Sequence, residues 1–293
     1  METIQLNFLD IFKKIITDYD LTYSDIANIF LCSESTVPSY ISGRTKISID
    51  KAELLKAFLL ESFGDDIYDK YIFNFSNDGF LFHGSRQGIK GDITPNYSYS
   101  RNRTDFGKGF YLGESFKQSS TFVAEEESGL DRIYQFVFNT DGLKVLELSN
   151  LDWILFIGFN RNKIVDNEQN HKLLKRMQSI KNSDYDVIIG PIADDKMSQN
   201  MEDFFADRLT YGQILKCLTQ LKIGKQYCLK TEKACKNLEC VGVYALDDTY
   251  RYLIKEYAFE QRDNAVMSAN KIASSKDDKG LRFSELVRKY GRK

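Results

Sequence analysis

The chain has 293 residues, of which 42% are hydrophobic and 28% charged, with a net charge of −2; this balance allows a packed core, and the length allows two ordinary domains or one with an appendage. No apolar run approaches the ~20 residues that span a bilayer, and METIQLNFLDIFKK has no basic start leading into an unbroken apolar stretch, so neither a membrane span nor a signal peptide is expected. The five cysteines (Cys32, Cys217, Cys228, Cys235, Cys240) are odd in number, scattered and without CxxC spacing; with only two histidines in the chain, they point to a reducing compartment, the cytoplasm, and away from a disulfide scaffold or a metal site.

Residues 1–65 are expected to form a small all-helical domain. Ile4, Phe8, Ile11, Phe12, Ile15 and Ile16 recur at three- and four-residue spacing, which lays them along one helical face. A second helix is expected over Tyr23–Phe30. A third follows, capped by Ser33 or Ser35, carrying Val37, Tyr40 and Ile41 and stopping at Gly43. A fourth is expected from about Ile49 to Phe63. The string TYSDIANIFLCSESTVPSYISGR resembles the helix-turn-helix of small repressor-like DNA-binding domains, which implies DNA contact through residues 20–45. Two features qualify that implication. Residues 1–64 carry six Lys/Arg against nine Asp/Glu, whereas DNA affinity comes mainly from cations that neutralise phosphates. Pro38 fits the recognition helix only if that helix starts late, near Ser35. Dimerisation or partner docking is the alternative use of the module.

From Phe80 the texture changes. The runs GFLFHG, GFYLG, RIYQFVFN, LKVLEL, YDVIIGPIA and KQYCLKT are rich in Val, Ile, Phe and Tyr, as strands require. Between them, helices are expected over 116–126, 151–160, 167–181, 201–221 and 231–238. The expected class is α+β, with a domain over 78–242 and a polar helical tail over 243–293 that breaks at Lys276–Gly280. Six lysines against one acid between Lys216 and Lys236, and eight Lys/Arg against three acids in 271–293, read as solvated surface or as a footing for an anionic acceptor such as nucleic acid.

Two glycine-flanked motifs carry the chemistry. In Phe82-His83-Gly84-Ser85-Arg86 a polar ring leaves a strand beside backbone that a ligand can approach closely. In Asp105-Phe-Gly-Lys-Gly-Phe-Tyr111-Leu-Gly113 an aromatic pair sits among three glycines. Taken together, HGSR and GKGFYLGESFKQSSTF resemble the catalytic domain of the ADP-ribosyltransferases, in the His-Tyr-Glu branch that contains diphtheria toxin and the poly(ADP-ribose) polymerases, and are most similar to an uncharacterised bacterial family within it. The resemblance spans about 80–240 and implies an ADP-ribosyltransferase-like split β-sheet that binds NAD+ as substrate. It assigns His83 to the adenine-side ribose, the Gly84 backbone to the nicotinamide amide, Ser85 to the NAD+-binding residues, and Tyr111 to stacking on the nicotinamide ring. Ser119, eight residues on, would hold the carboxamide, and Phe122 would cover the other ring face. Nicotinamide is cationic while part of NAD+, so two π-faces attract it by about 0.5–2 kcal/mol each.

The third motif position departs from the family. Where a glutamate is usual, Lys225-Gln226-Tyr227 aligns Gln226, which can bond a ribose hydroxyl but cannot act as a base. Glu232 and Glu239 are read as solvated residues of a following helix. The catalytic set is then His83, Tyr111 and Gln226, and the expected activity is transfer of single ADP-ribose units to a protein or nucleic-acid acceptor. A bacterial toxin or defence effector with an antitoxin or inhibitor as partner is the setting the resemblance implies. A DNA-binding regulator that senses NAD+ and an NAD+ glycohydrolase are the alternatives. A glutamate placed at 226 is expected to preserve or raise NAD+ hydrolysis. Asp194 and Asp195 are read as a strand-end cap or as carboxylates at the pocket rim, and His171 as surface.

Overall fold

The computed structural model describes residues 2–75, 79–96, 104–193, 198–220, 224–275 and 280–290. Asp194, Asp195, Arg292, Lys293 and most of the Lys276–Gly280 break lie outside the described residues. In chain order the elements begin with β1 (Ile4–Leu6), α1 (Phe8–Asp18), α2 (Tyr23–Phe30), α3 (Val37–Ile41), α4 (Ile49–Phe63) and β2 (Phe80–Ser85). They continue with β3 (Phe110–Gly113), α5 (Phe116–Ala124), β4 (Arg132–Phe138), β5 (Val145–Glu147), α6 (Asn150–Asn160), α7 (His171–Lys181) and β6 (Val187–Pro191). The remainder are α8 (Ser198–Phe205), α9 (Tyr211–Leu218), β7 (Lys225–Leu229), α10 (Glu232–Lys236), β8 (Leu238–Leu246), α11 (Asp248–Ser274) and α12 (Phe283–Tyr290). The protein is a mixed α/β structure whose described strands pair both parallel and antiparallel.

Several sequence expectations change at the edges of elements. Ile4 is not the start of a helix: Ile4–Leu6 pairs parallel with Tyr244–Leu246 in β8. Asn7 then caps α1, its side chain accepting from the Asp10 amide. Ser33 and Ser35 bond each other's hydroxyls instead of capping an amide. One expected helix over 201–221 is two, α8 and α9, because Asp207 takes φ 61 and Thr210 opens a capping box with Gln213. Glu239 stands on strand β8, not on a helix.

The chain folds into two compact units. The first holds the N-terminus to Gly88, Phe116–Gln135 and Cys240–Ala258. Its strands are ordered β1-β8-β4-β2. Its core joins Phe8, Phe12, Ile15, Phe30, Leu55 and Leu59 of the N-terminal helices to Phe82, Phe116, Ile133, Leu246 and Leu253. The apolar stripe of α1–α4 is thereby buried against residues that come much later in the chain, and compactness does not divide the protein at residue 65.

The second unit holds Ile89–Ser115, Phe136–Glu239 and Phe259 to the C-terminus, with strands ordered β3-β7-β6-β5. Antiparallel β3/β7 and β6/β7 adjoin parallel β5/β6. Its core is centred on α6, apolar on nearly every side, with Trp153, Ile154, Phe156 and Ile157 fully buried; a helix of that kind has to be enclosed. Part of the enclosure comes from Phe283, Leu286 and Val287 of α12 and Ala265 and Ala269 of α11. The expected polar tail thus contributes core side chains.

Candidate functional site

His83, Gly84, Ser85, Ser119 and Phe122 fall in the first unit. β2 buries Leu81 and Phe82 and leaves His83, Gly84 and Ser85 half-buried towards its end. Helix α5 lies directly on that end. A Cβ added at Gly84 would sit 2.6 Å from the Ser119 carbonyl oxygen and 3.1 Å from Phe122 Cδ1, so only glycine fits the approach. That contact brings together residues 35 and more positions apart. Ser119 is 5% exposed. The His83 ring lies 6.5 Å from that of Tyr134, tilted 46°. Arg86 stands over the Phe122 ring at 4.4 Å, donates to the Phe122 carbonyl oxygen and pairs with Glu125 at 2.5 Å. One π-face of Phe122 therefore serves a cation of the protein itself.

Tyr111 and Gln226 fall in the second unit. In the antiparallel β3/β7 ladder Tyr111 faces Cys228, and Gly113 faces Gln226. Since side chains alternate along a strand, Tyr111 and Gln226 stand on the same face at diagonal positions. The ladder is closely packed: a Cβ at Gly109 would collide with Cys228 Sγ and come within 2.8 Å of the Leu229 carbonyl oxygen.

The turn at Asp105–Gly107 engages both residues. The Tyr111 hydroxyl donates to the Gly107 carbonyl oxygen at 2.6 Å and accepts from the Phe106 amide at 3.1 Å. Burial, with the neighbouring Cys228, holds its pKa well above the ordinary tyrosine value, so it is a neutral phenol at physiological pH. The Gln226 side-chain amide donates to Asp105 Oδ2 at 2.6 Å and to the Pro191 carbonyl oxygen at 3.3 Å. The other oxygen, Asp105 Oδ1, is paired with Arg161 (Nη2 at 2.5 Å, Nε at 2.8 Å). Arg161 also donates to the Ala193 carbonyl oxygen, and Asn160 Nδ2 to that of Asp105. The side chains of Asp105 and Arg161 are 8% and 10% exposed, a depth at which charges must be mutually compensated.

The sequence did not mark Asp105 or Arg161. The available signal was an aspartate opening the glycine-rich motif and an arginine ending an apolar helix. Glu232 and Glu239, expected to be solvated, are exposed. Glu114 is the carboxylate that flanks Gln226 along β7, accepting from the Lys225 amide at 3.1 Å and the Tyr227 hydroxyl at 3.3 Å. The Tyr227 side chain projects from the sheet face opposite to Gln226, so Asp105 and not Glu114 is the acid in contact with the glutamine. Burial pushes the Cys228 thiol up to about 12, which makes it a packing residue and not a nucleophile. His171 is exposed at the start of α7.

In the N-terminal part, α2 matches the expected span and is opened by a Thr22–Asp25 capping box. A single 3₁₀ turn, Glu34–Thr36, precedes α3, so Pro38 falls in its first turn, where a missing amide costs nothing. Among the cations there, Lys46 is paired with Asp248 and Lys51 with the Phe30 carbonyl oxygen. In the basic C-terminal stretch Arg282 is bonded to the Asp207 carbonyl oxygen, while Arg288 and Lys289 are exposed. No helix among the described residues is long and apolar enough to cross a membrane, and no cluster of three or more His, Cys, Asp or Glu among them could hold a metal.

In comparison with known proteins, the model of a family described as protein of unknown function (DUF3990) matches residues 80–240, more than half of the chain. No curated protein matches, and no solved structure does.

Proposed function

We propose, for a chain that belongs to the DUF3990 family of proteins of unknown function, the activity of a mono-ADP-ribosyltransferase that uses NAD+ as substrate. In that reading the domain is an ADP-ribosyltransferase-like split sheet in a cytoplasmic protein, and His83, Gly84, Ser85, Ser119 and Phe122 act with Tyr111 and Gln226. The observation that carries it is that distant motif residues meet within each unit. Gly84 meets Ser119 and Phe122, and Tyr111 shares a ladder face with Gln226. The residues lie in two units.

The reaction breaks the bond between ribose C1′ and the nicotinamide nitrogen, whose electron pair leaves with neutral nicotinamide. An acceptor lone pair forms the new bond to C1′, and the acceptor's proton passes to solvent. Positive charge grows on the sugar as the bond breaks, and a pre-placed acceptor atom stabilises it without reorganisation. The test is incubation of the full chain with NAD+ labelled in the adenylate and with cell extract. Nicotinamide release together with single ADP-ribose mass increments supports the reading. Release without a labelled acceptor would favour a glycohydrolase, and binding without release a regulatory NAD+ sensor, for which the absence of a base at Gln226 is the argument.

A further inference from the structure

Gln226 occupies a polar position of fixed direction. Its side-chain amide has two N–H donors, and both have partners: Asp105 Oδ2 at 2.6 Å and the Pro191 carbonyl oxygen at 3.3 Å. Its Oε1 makes no hydrogen bond among the described residues. Asp105 cannot turn away to release the amide, because its other oxygen takes two bonds from Arg161, itself held by the Ala193 carbonyl oxygen. We infer that Asp105, fixed by Arg161, is a positioning residue that locks the Gln226 amide so that Oε1 alone is offered, making residue 226 an acceptor-only position for a hydroxyl donor. This inference rests on the proposed activity for the identity of that donor, a ribose hydroxyl. The pairing itself stands apart from the activity.

The arrangement argues against the expectation that a glutamate at 226 preserves or raises NAD+ hydrolysis. Gln226→Glu would set a second carboxylate against Asp105, with one guanidinium between them, and one acid of such a pair must keep its proton. Asp105→Asn fails differently: with Oδ1 on Arg161, its Nδ2 faces the Gln226 amide, donor to donor, and Gln226 must turn its acceptor inward. The two changes together restore the pairing between residues 105 and 226, although the Pro191 carbonyl oxygen still loses its donor. The introduced asparagine would accept from Arg161 and donate to the introduced glutamate, whose remaining oxygen restores an outward acceptor.

The experiment compares the wild-type full chain with D105N, Q226E and D105N/Q226E by thermal unfolding across pH and by nicotinamide release from NAD+. Each single variant should lose at least about tenfold in kcat with KM for NAD+ within about threefold, and the double variant should recover a measurable part of the loss. The Tm of Q226E should fall, relative to wild type, as pH rises through the raised pKa of the acid pair, and D105N/Q226E should lack that dependence. Single variants with wild-type kcat, or a double variant no better than either single one, would overturn the inference. If the wild type releases no nicotinamide, the assigned activity falls, while the pH dependence of Q226E and its removal in the double variant still decide the pairing.

Discussion

At Tyr111 the proposed activity would use the ring, whereas the hydroxyl serves the fold. The hydroxyl is bonded within the Asp105–Gly107 turn, so Tyr111→Phe should leave the Phe106 amide without its acceptor and cost about 1–3 kcal/mol, seen as a lower Tm. NAD+ affinity should change little, because the π-face is kept. Tyr111→Ala removes that face and should weaken NAD+ binding about tenfold or more, roughly 1.4 kcal/mol. Equal affinity in calorimetry for the alanine variant and the wild type would remove Tyr111 from the site. Gly84 makes a different demand, one of space. Gly84→Ala must push α5 off β2 and should cost about 1–3 kcal/mol by overpacking. Because Ser119 and Phe122 ride on that helix, nicotinamide release should fall further than stability alone accounts for. A Gly84→Ala protein with unchanged Tm would contradict the packing described.

Arg251 of α11 organises one end of the first unit: it donates to the Val123 carbonyl oxygen at the end of α5 and pairs with Asp131, just before β4. The Asp131 side chain is 2% exposed. Burial alone would raise its pKa, but the bonds from Arg251 and the Ser128 amide outweigh it and hold the carboxyl below the ordinary value of 3.8. Its contribution to stability is therefore present above that pH and is lost as pH falls through the depressed folded-state value. Asp131→Asn leaves Arg251 buried without its counter-charge and should cost about 3 kcal/mol at neutral pH. The difference from wild type should shrink below about pH 4. Chemical denaturation at several pH values checks this, and a pH-independent difference would show that the pair does not titrate as described.

For the molecule as a whole, the charge distribution bears on nucleic acid. Residues 1–64 are net acidic, and two of their cations are committed to Asp248 and to a backbone carbonyl. Binding of the full chain to duplex DNA should then be no tighter than about 1 μM at physiological salt, with a steep salt dependence. Alanine at Arg288 and Lys289 should weaken it and flatten the slope; at Arg282, bonded to Asp207, substitution should instead lower stability. Nanomolar, salt-insensitive binding in a fluorescence titration would overturn this reading of the charge distribution.

Much of this protein was legible in the residues. The spans of α2 and α4 and the position of most strands follow from periodicity and turn chemistry, which are local properties, whereas the candidate site residues rest on the motif resemblance. The fate of Ile4–Leu6 was not legible, since only pairing with β8 makes a strand of three residues that otherwise extend a helical stripe. Nor was the break between α8 and α9, where one left-handed residue and a capping box override a continuous pattern. The substitution of glutamine for glutamate at 226 is visible in the sequence, but its consequence is not. That the amide is committed to Asp105, and Asp105 to Arg161, depends on three residues separated by 56 and 121 positions. Sequence by itself determined what chemistry each side chain can offer, because residue type sets donor, acceptor and π-face. Only the tertiary structure decided which atoms of those side chains are already spent, because hydrogen bonds between distant residues exist only once the chain has closed on itself.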